Sequence, residues 1–144
     1  FLSVGSEPYW WGEGEQLLEV PLTTVYSGIL RRQYGLAATV MEKSPLANAL
    51  LSRSKMLERI PLTPEGISAR ETKEAIDVAL DDDLRLLVFS FHSPSLSPGH
   101  TPYVGNESDL HGFYDWWREI LEHLDSRNVK PVGIDDLLQT AKGA

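Results

Sequence analysis

The chain has 144 residues, enough for one domain with a hydrophobic core or for part of a larger one, and its 13 basic and 21 acidic residues give a formal net charge of −8. This acidic balance, without a cluster of Lys or Arg, argues against nucleic acid and anionic membrane surfaces as partners. The absence of cysteine excludes disulfides, thiolate metal sites and cysteine nucleophiles. No apolar run reaches the roughly 18–20 residues of a membrane span.

The N-terminal part of the chain contains a loop-like segment and then an apolar one. Residues 1–15 are rich in Gly, Pro, Ser and aromatic residues and predict an irregular loop that carries Tyr9, Trp10 and Trp11. Residues 17–23 predict a short buried strand that ends at a proline and two threonines.

A helical insertion is predicted at about residues 25–62. It contains a short helix around 30–41 and a second helix from 44 to about 57, with Pro45 at its first position. The proline-rich stretch 60–64 then predicts a fixed turn.

The strongest helix start in the sequence is Ser68 followed by Glu71. In this capping-box pattern the serine hydroxyl and the glutamate carboxylate each accept a hydrogen bond from a backbone amide that the helix leaves unpaired. We predict a helix that runs to about Asp81. Its predicted apolar face comprises Ala75, Ile76, Ala79 and Leu80.

The almost unbroken apolar run 84–92 predicts a buried strand that ends in His92, directly before a Ser-Pro loop. Catalytic groups gather at the carboxyl ends of strands in parallel α/β folds, so His92 is a functional candidate by position. The alternative is a histidine that only hydrogen-bonds a loop.

The remaining elements follow a long proline-rich loop at 93–105. Apolar residues at helical spacing predict a helix at about 108–126, residues 130–134 predict a short strand, and a terminal helix begins at Asp135 or Asp136. This last helix is expected to bury Leu137, Leu138 and Ala141.

This order of elements belongs to the α/β class with parallel pairing and right-handed crossovers. The sequence shows about three strands, and a parallel sheet of that size covers its faces and edges poorly. We therefore expect the chain to be part of a larger barrel or sheet.

Three segments together resemble the C-terminal part of polysaccharide deacetylases of the NodB-homology group, which is similar to carbohydrate esterase family 4. They are residues 87–96, the long aromatic helix that follows, and residues 130–138. Residues 18–23 look like the strand that precedes this part of the family. The resemblance implies that residues 1–144 are the C-terminal portion of one distorted (β/α) barrel domain, interrupted by the insertion at about 25–62.

Members of this family remove acetyl groups from carbohydrate, such as bacterial cell-surface polysaccharide, with a divalent metal, zinc or cobalt. The resemblance makes His92 the general acid, because it matches the histidine of the family's late Leu-x-His strand end. Ser90 stands in place of that leucine, which implies a different shape of the acetyl pocket.

The Asp-Asp pair and the His-x3-His motif, which supply the base and the metal ligands in the family, are missing from this sequence. The resemblance therefore implies that the metal half of the site lies in a missing N-terminal half of the barrel or in a homo-oligomer partner. The alternative is a non-catalytic member or fragment that binds glycans or a protein partner.

Two regions could contact a carbohydrate substrate. Tyr9, Trp10 and Trp11 offer flat faces for sugar rings, although the tryptophans could equally cap the end of the barrel. His100 and Tyr103 lie in the loop that follows His92, where they could contact substrate or form hydrogen bonds within the loop. Ser90 would face the same substrate.

Two further patterns favour structural interpretations. The series His111, Asp115, Glu119 and His123 has the four-residue spacing of a metal site on a helix, but polar residues at this spacing usually form a solvated face. A serine nucleophile at Ser93 or Ser95 is not supported, because no Gly-x-Ser-x-Gly motif is present.

Overall fold

Residues 7–14, 17–27 and 58–142 are described here, in a computed structural model. They form four short strands, three helices and one turn of 3-10 helix. The strands are β1 (Tyr9–Trp11), β2 (Leu17–Glu19), β3 (Thr24–Ser27) and β4 (Glu58–Pro61). The helices are α1 (Ala69–Asp81), α2 (Glu107–Ser126) and α3 (Ile134–Lys142), and the 3-10 turn is Ser93–Leu96.

The four strands form two antiparallel pairs, whereas the sequence predicted parallel pairing. Trp10 of β1 lies opposite Leu18 of β2, and Val25 of β3 lies opposite Ile60 of β4. The connection between β1 and β2 is too short for the crossover of a dozen or more residues that parallel strands need. Parallel pairing is therefore wrong for these strands.

Three strand boundaries differ from the predictions. The aromatic segment at Tyr9–Trp11 is a strand rather than an irregular loop. The strand predicted at 17–23 is divided, because β2 ends at Glu19 and β3 begins at Thr24. The predicted turn at 60–64 begins within β4. Pro61 is the last residue of this strand, a position where the missing N–H of proline is tolerated. The helices predicted at 30–41 and 44–57 lie outside the described residues.

The apolar run 84–92 does not form the predicted buried strand. Two backbone hydrogen bonds hold it beside the other segments, from Thr23 N–H to the Val88 carbonyl (3.1 Å) and from Ser90 N–H to the Leu62 carbonyl (3.2 Å). The Thr23 hydroxyl also accepts a hydrogen bond from Val88 N–H at 2.8 Å. The Thr23 hydroxyl thus accepts the hydrogen bond that a backbone carbonyl of a neighbouring strand would accept in a regular sheet.

Both long helices begin at a side-chain cap, of which the one at Ser68 was predicted. The Ser68 hydroxyl accepts a hydrogen bond from Glu71 N–H at 3.3 Å, and the Glu71 carboxylate accepts one from Ser68 N–H at 3.0 Å, which confirms the capping box. Asn106 caps α2 by accepting a hydrogen bond from Asp109 N–H at 3.1 Å. The helix predicted at 108–126 is confirmed to within one residue.

The C-terminal part is only partly as predicted. α3 is present, but the residues 130–133 before it form no strand. The side chains of Leu137, Leu138 and Ala141 are half-buried rather than buried. No helix in the described part of the chain is long and apolar enough to cross a membrane.

The hydrophobic core lies where α1 packs against β3, β4 and α2. Aromatic rings then join the segment 84–92 to α2: Phe89 lies 6.5 Å from Trp116 and Phe91 lies 5.4 Å from Phe113, between ring centroids. This packing brings the end of the segment, and with it His92, to the start of α2. The buried core residues are Val25, Ile60, Leu62, Ala75, Ile76, Val78, Ala79, Trp116 and Ile120.

Neighbouring residues of α2 provide a test of this core. Ile120 is 0% exposed and Leu121 is 58% exposed. We expect Ile120→Ala to lower the free energy of unfolding by about 2–5 kcal/mol, because it removes buried methyl groups and leaves a cavity. Leu121→Ala is the matched control, with an expected change within about 0.5 kcal/mol. Urea unfolding of the two variants measures the difference, and equal losses would contradict this position of α2.

Candidate functional site

His92 and Glu65 form a carboxylate–imidazole pair. The ring Nδ1 of His92 lies 2.6 Å from Glu65 Oε2, and the backbone N–H of His92 donates to Glu65 Oε1 at 3.0 Å. Glu65 lies in the turn between β4 and α1, where its own N–H donates to the hydroxyl of Thr63 at 3.2 Å. The two contacts fix both the position and the plane of the histidine ring relative to the carboxylate.

The two side chains differ sharply in exposure. The side chain of Glu65 is 5% exposed, whereas that of His92 is 76% exposed. The carboxylate is therefore inside and contacts Nδ1, while the opposite edge of the ring, with Nε2, faces solvent. Such a ring can exchange a proton with a bound molecule at Nε2.

Two hydroxyl groups form a chain of hydrogen bonds that ends at the Glu65 carboxylate. Ser95, which is 0% exposed, donates from its hydroxyl to Glu65 Oε1 at 2.6 Å, and its oxygen lies 3.0 Å from the hydroxyl oxygen of Thr101. Since the Ser95 proton is used toward Glu65, Thr101 is the donor in the second bond. The Ser95 hydroxyl is thus buried and bonded to the carboxylate rather than to the His92 ring, which argues against a role as nucleophile.

The pKa of Glu65 is lowered from its ordinary value of 4.5. Burial by itself raises this pKa, but hydrogen bonds from Ser95 and from the backbone and ring of His92, together with the charge of that ring, outweigh the burial. Glu65 is therefore an ionised acceptor at neutral pH. It follows that the proton between the two side chains is carried by Nδ1 of His92.

The Ser-Pro loop after His92 creates this arrangement locally. Ser93–Leu96 forms one turn of 3-10 helix, with Ser95 N–H donating to the His92 carbonyl at 2.9 Å and Ser97 N–H donating to the Pro94 carbonyl at 3.1 Å. This turn brings the Ser95 hydroxyl within hydrogen-bonding distance of Glu65. Proline fits an early position of such a turn because its fixed φ suits the helix.

The next part of the loop places Thr101. Gly99 N–H donates to the Val104 carbonyl at 2.8 Å, and Val104 N–H donates to the Thr101 hydroxyl at 3.3 Å. Gly99 has a φ of +82°, a conformation that favours glycine. The long proline-rich loop is therefore folded on itself and connected to the site.

The other predicted residues near His92 have different roles. The side chains of Ser90 and His100 are exposed, and Ser90 is held through its backbone N–H. Tyr103 is 48% exposed and lies beside Gly66, where its ring is 3.7 Å from the position of an added Cβ. Since Gly66 directly follows Glu65, the structure brings Tyr103 close to the site.

The aromatic segment Tyr9–Trp11 has at least one structural contact. The indole N–H of Trp10 donates to the carbonyl of Ala141 in α3 at 3.0 Å. Trp11 is 66% exposed. Trp10 thus joins β1 to the last helix, which favours its structural interpretation, while Trp11 offers an open face.

Two members of the polar series on α2 contact polar side chains of α1. Glu119 contacts Lys73 at 2.8 Å, and His123 contacts Asp77 at 3.0 Å, both of them on α1. Across residues 7–14, 17–27 and 58–142, no group of three or more His, Asp or Glu side chains could hold a metal ion. These residues do not fit the divalent metal that the resemblance implies.

Glu65 is the site residue that the sequence prediction missed. It follows Pro64 in a turn, and neither residue belongs to a recognised catalytic pattern. The available signal was a single carboxylate in a turn that precedes a capped helix. Such a residue is usually solvated, so only the fold reveals its contact with His92.

No known protein family, curated protein or solved structure matches this chain.

The lowered pKa of Glu65 predicts a specific dependence of stability on pH. A carboxyl with a lowered folded pKa contributes stability that is fully present above 4.5 and is lost as the pH falls through the folded value. We expect the free energy of unfolding to fall below pH 4.5 more steeply in the unmodified protein than in Glu65→Gln. Glu122→Gln, an exposed change on α2, should keep the original dependence. Urea unfolding between neutral and acidic pH tests this, and parallel curves for the unmodified protein and Glu65→Gln would contradict it.

The contact of Trp10 gives a second test. We expect Trp10→Phe to destabilise the protein by about 0.5–1.5 kcal/mol, because it removes the indole donor and leaves the Ala141 carbonyl without it. Trp11→Phe is the matched control and should have little effect on thermal unfolding, since its side chain is 66% exposed. A larger loss of stability for Trp11→Phe than for Trp10→Phe would contradict the structural role of Trp10.

Proposed function

We propose that this chain is part of a hydrolase that removes acetyl groups from carbohydrate, with His92 as the general acid. The observation that carries the proposal is the exposed imidazole of His92, held by a buried and ionised Glu65. It agrees with the role that the resemblance to polysaccharide deacetylases gives to His92. The proposal includes the distorted (β/α) barrel of that family.

The reaction at issue is hydrolysis of an amide. Water adds to the acetyl carbonyl, the C–N bond then breaks, and the sugar nitrogen takes up a proton as it leaves. His92, protonated at both ring nitrogens, donates that proton from Nε2. It ends as a neutral ring that keeps its proton on Nδ1.

Glu65 has two effects on this transfer. Its carboxylate accepts the hydrogen bond from Nδ1 and thereby directs Nε2 outward, toward a bound substrate. Its negative charge also stabilises the positive ring before the proton leaves, as the buried aspartate does for the histidine of serine proteases. Ser95 and the backbone of His92 keep the carboxylate ionised and in place.

The proposed enzyme needs more than the described residues provide. A base to activate water and a divalent metal to stabilise the oxyanion are part of the family's chemistry. We propose that they come from an N-terminal half of the barrel or from a second subunit. Ser90 would replace the usual leucine beside the acid, which gives the acetyl group a more polar wall.

Activity measurements on the protein purified from its own cells, with zinc or cobalt added, test the role of His92. The readout is acetate released from N-acetylated chitin oligosaccharides. We expect His92→Ala to lower kcat/KM by about 10²–10⁴-fold, because proton transfer to the leaving nitrogen is lost. His111→Ala is the matched control, since it changes an exposed histidine of α2 and should leave turnover unchanged.

Glu65→Gln separates orientation from proton donation. The glutamine amide can still accept the hydrogen bond from Nδ1, but it carries no negative charge to stabilise the protonated ring. We therefore expect kcat to fall by about 10- to 10⁴-fold while KM changes little. Unchanged turnover in His92→Ala, with the fold intact, would overturn the proposed function.

A further inference from the structure

A cavity of about 300 Å³ lies at the start of α2, beside the His92–Glu65 pair. Pro64, which precedes Glu65, lines it on one side, and Tyr103, which lies beside Gly66, lines it on another. His92 itself does not line the cavity, so the cavity is next to the proposed reaction centre and separate from it. Its lining includes Pro64, Tyr103, Ser108, Asp109, Phe113 and Trp116.

The size and the walls of this cavity suit a single ring. Small-molecule sites have volumes of about 300–1,000 Å³, and this cavity is at the lower end of that range. Phe113 and Trp116 are buried, while Tyr103 is half exposed. Aromatic side chains pack against the C–H groups of sugar rings, and Tyr103 is the exposed aromatic side chain at this cavity.

Asp109 gives the rim of the cavity a negative charge. Its Oδ2 accepts hydrogen bonds from Gly105 N–H and from the Asn106 amide, both at 2.9 Å. It lies in the first turn of α2, where the backbone N–H groups that lack a partner within the helix also face outward. Within the described residues, no hydrogen bond to Oδ1 is present, so this oxygen is available to a ligand.

A carboxylate at the rim prefers a cation to a neutral group. The acetylated amine of a sugar is neutral, whereas the free amine left by deacetylation is protonated near neutral pH. The ligand that matches both the aromatic walls and the charge of Asp109 is therefore a hexosamine ring with a free amine. The net charge of −8 favours the approach of such a cation.

We propose that this cavity binds a deacetylated hexosamine unit of the polymer, next to the unit whose acetyl group is removed. This inference rests on the proposed function and extends it, because it makes partly deacetylated chains the preferred substrates. Asp109 contacts the ammonium group and Tyr103 contacts the face of the ring.

Titration with glucosamine and, separately, with N-acetylglucosamine tests the cavity. The readout is the NMR signal of the Trp116 indole N–H, which reports on a cavity wall and is fixed by a bond to the Ile67 carbonyl at 3.0 Å. We expect glucosamine to bind more tightly than N-acetylglucosamine, and Tyr103→Ala to weaken both. Asp109→Asn should weaken glucosamine alone, by about two- to fivefold, the usual size of an exposed ion pair.

A second variant covers the case in which Asp109→Asn disturbs the start of α2. Ser108→Lys adds a positive charge at the cavity without changing the hydrogen bonds of Asp109, and it should weaken glucosamine selectively. Glu122→Gln is the control for net charge and should leave both affinities unchanged. Equal binding of the two sugars, or no response of Trp116 to either, would overturn the inference.

The outcomes also separate this inference from the proposed function. Glucosamine binding that persists in His92→Ala, together with unchanged acetate release in that variant, would leave the cavity as an amino-sugar site and remove the proposed catalysis. Absent binding, together with loss of acetate release in His92→Ala, would remove only the hexosamine site.

Discussion

An ionised carboxylate away from water is the constraint on which the site depends. Glu65 is almost fully buried, and a buried charge is costly unless donors replace the water that it loses. Three donors do so here: the Ser95 hydroxyl, and the backbone and ring of His92. They come from one short loop, so the turn after β4 and the loop after residue 92 are fixed to each other by a single side chain.

The hydrophobic core determines where these two segments meet. Phe89 and Phe91 pack against rings of α2, and Ser90 is bonded to the backbone of Leu62 between them. Residues only a few positions from Glu65 and from His92 are therefore held by packing. The polar pair does not have to order the chain by itself, which lets an exposed ring keep one orientation at small entropic cost.

The sequence predicted the features that depend on neighbours along the chain. The capping box at Ser68 and the period of α2 are local signals, and both helices begin within one residue of the predicted position. The segment 84–92 was misread, because an apolar run shows burial but does not show whether a ladder partner exists; here the Thr23 hydroxyl takes that place. His92 was predicted as a functional candidate from its position at the end of this run. Glu65 was not found, since its contact spans 27 residues and leaves no trace in local spacing.

The chain of hydroxyls behind Glu65 limits how protons can move. Thr101 donates to Ser95 and Ser95 donates to Glu65, so that within the described residues the carboxylate accepts hydrogen bonds from Ser95 on one side and from His92 on the other. The proton on Nδ1 of His92 therefore stays with the ring. Exchange of a proton with a bound molecule takes place at Nε2, on the side of the ring that solvent reaches, and the buried side chains serve to hold the ring rather than to titrate with it.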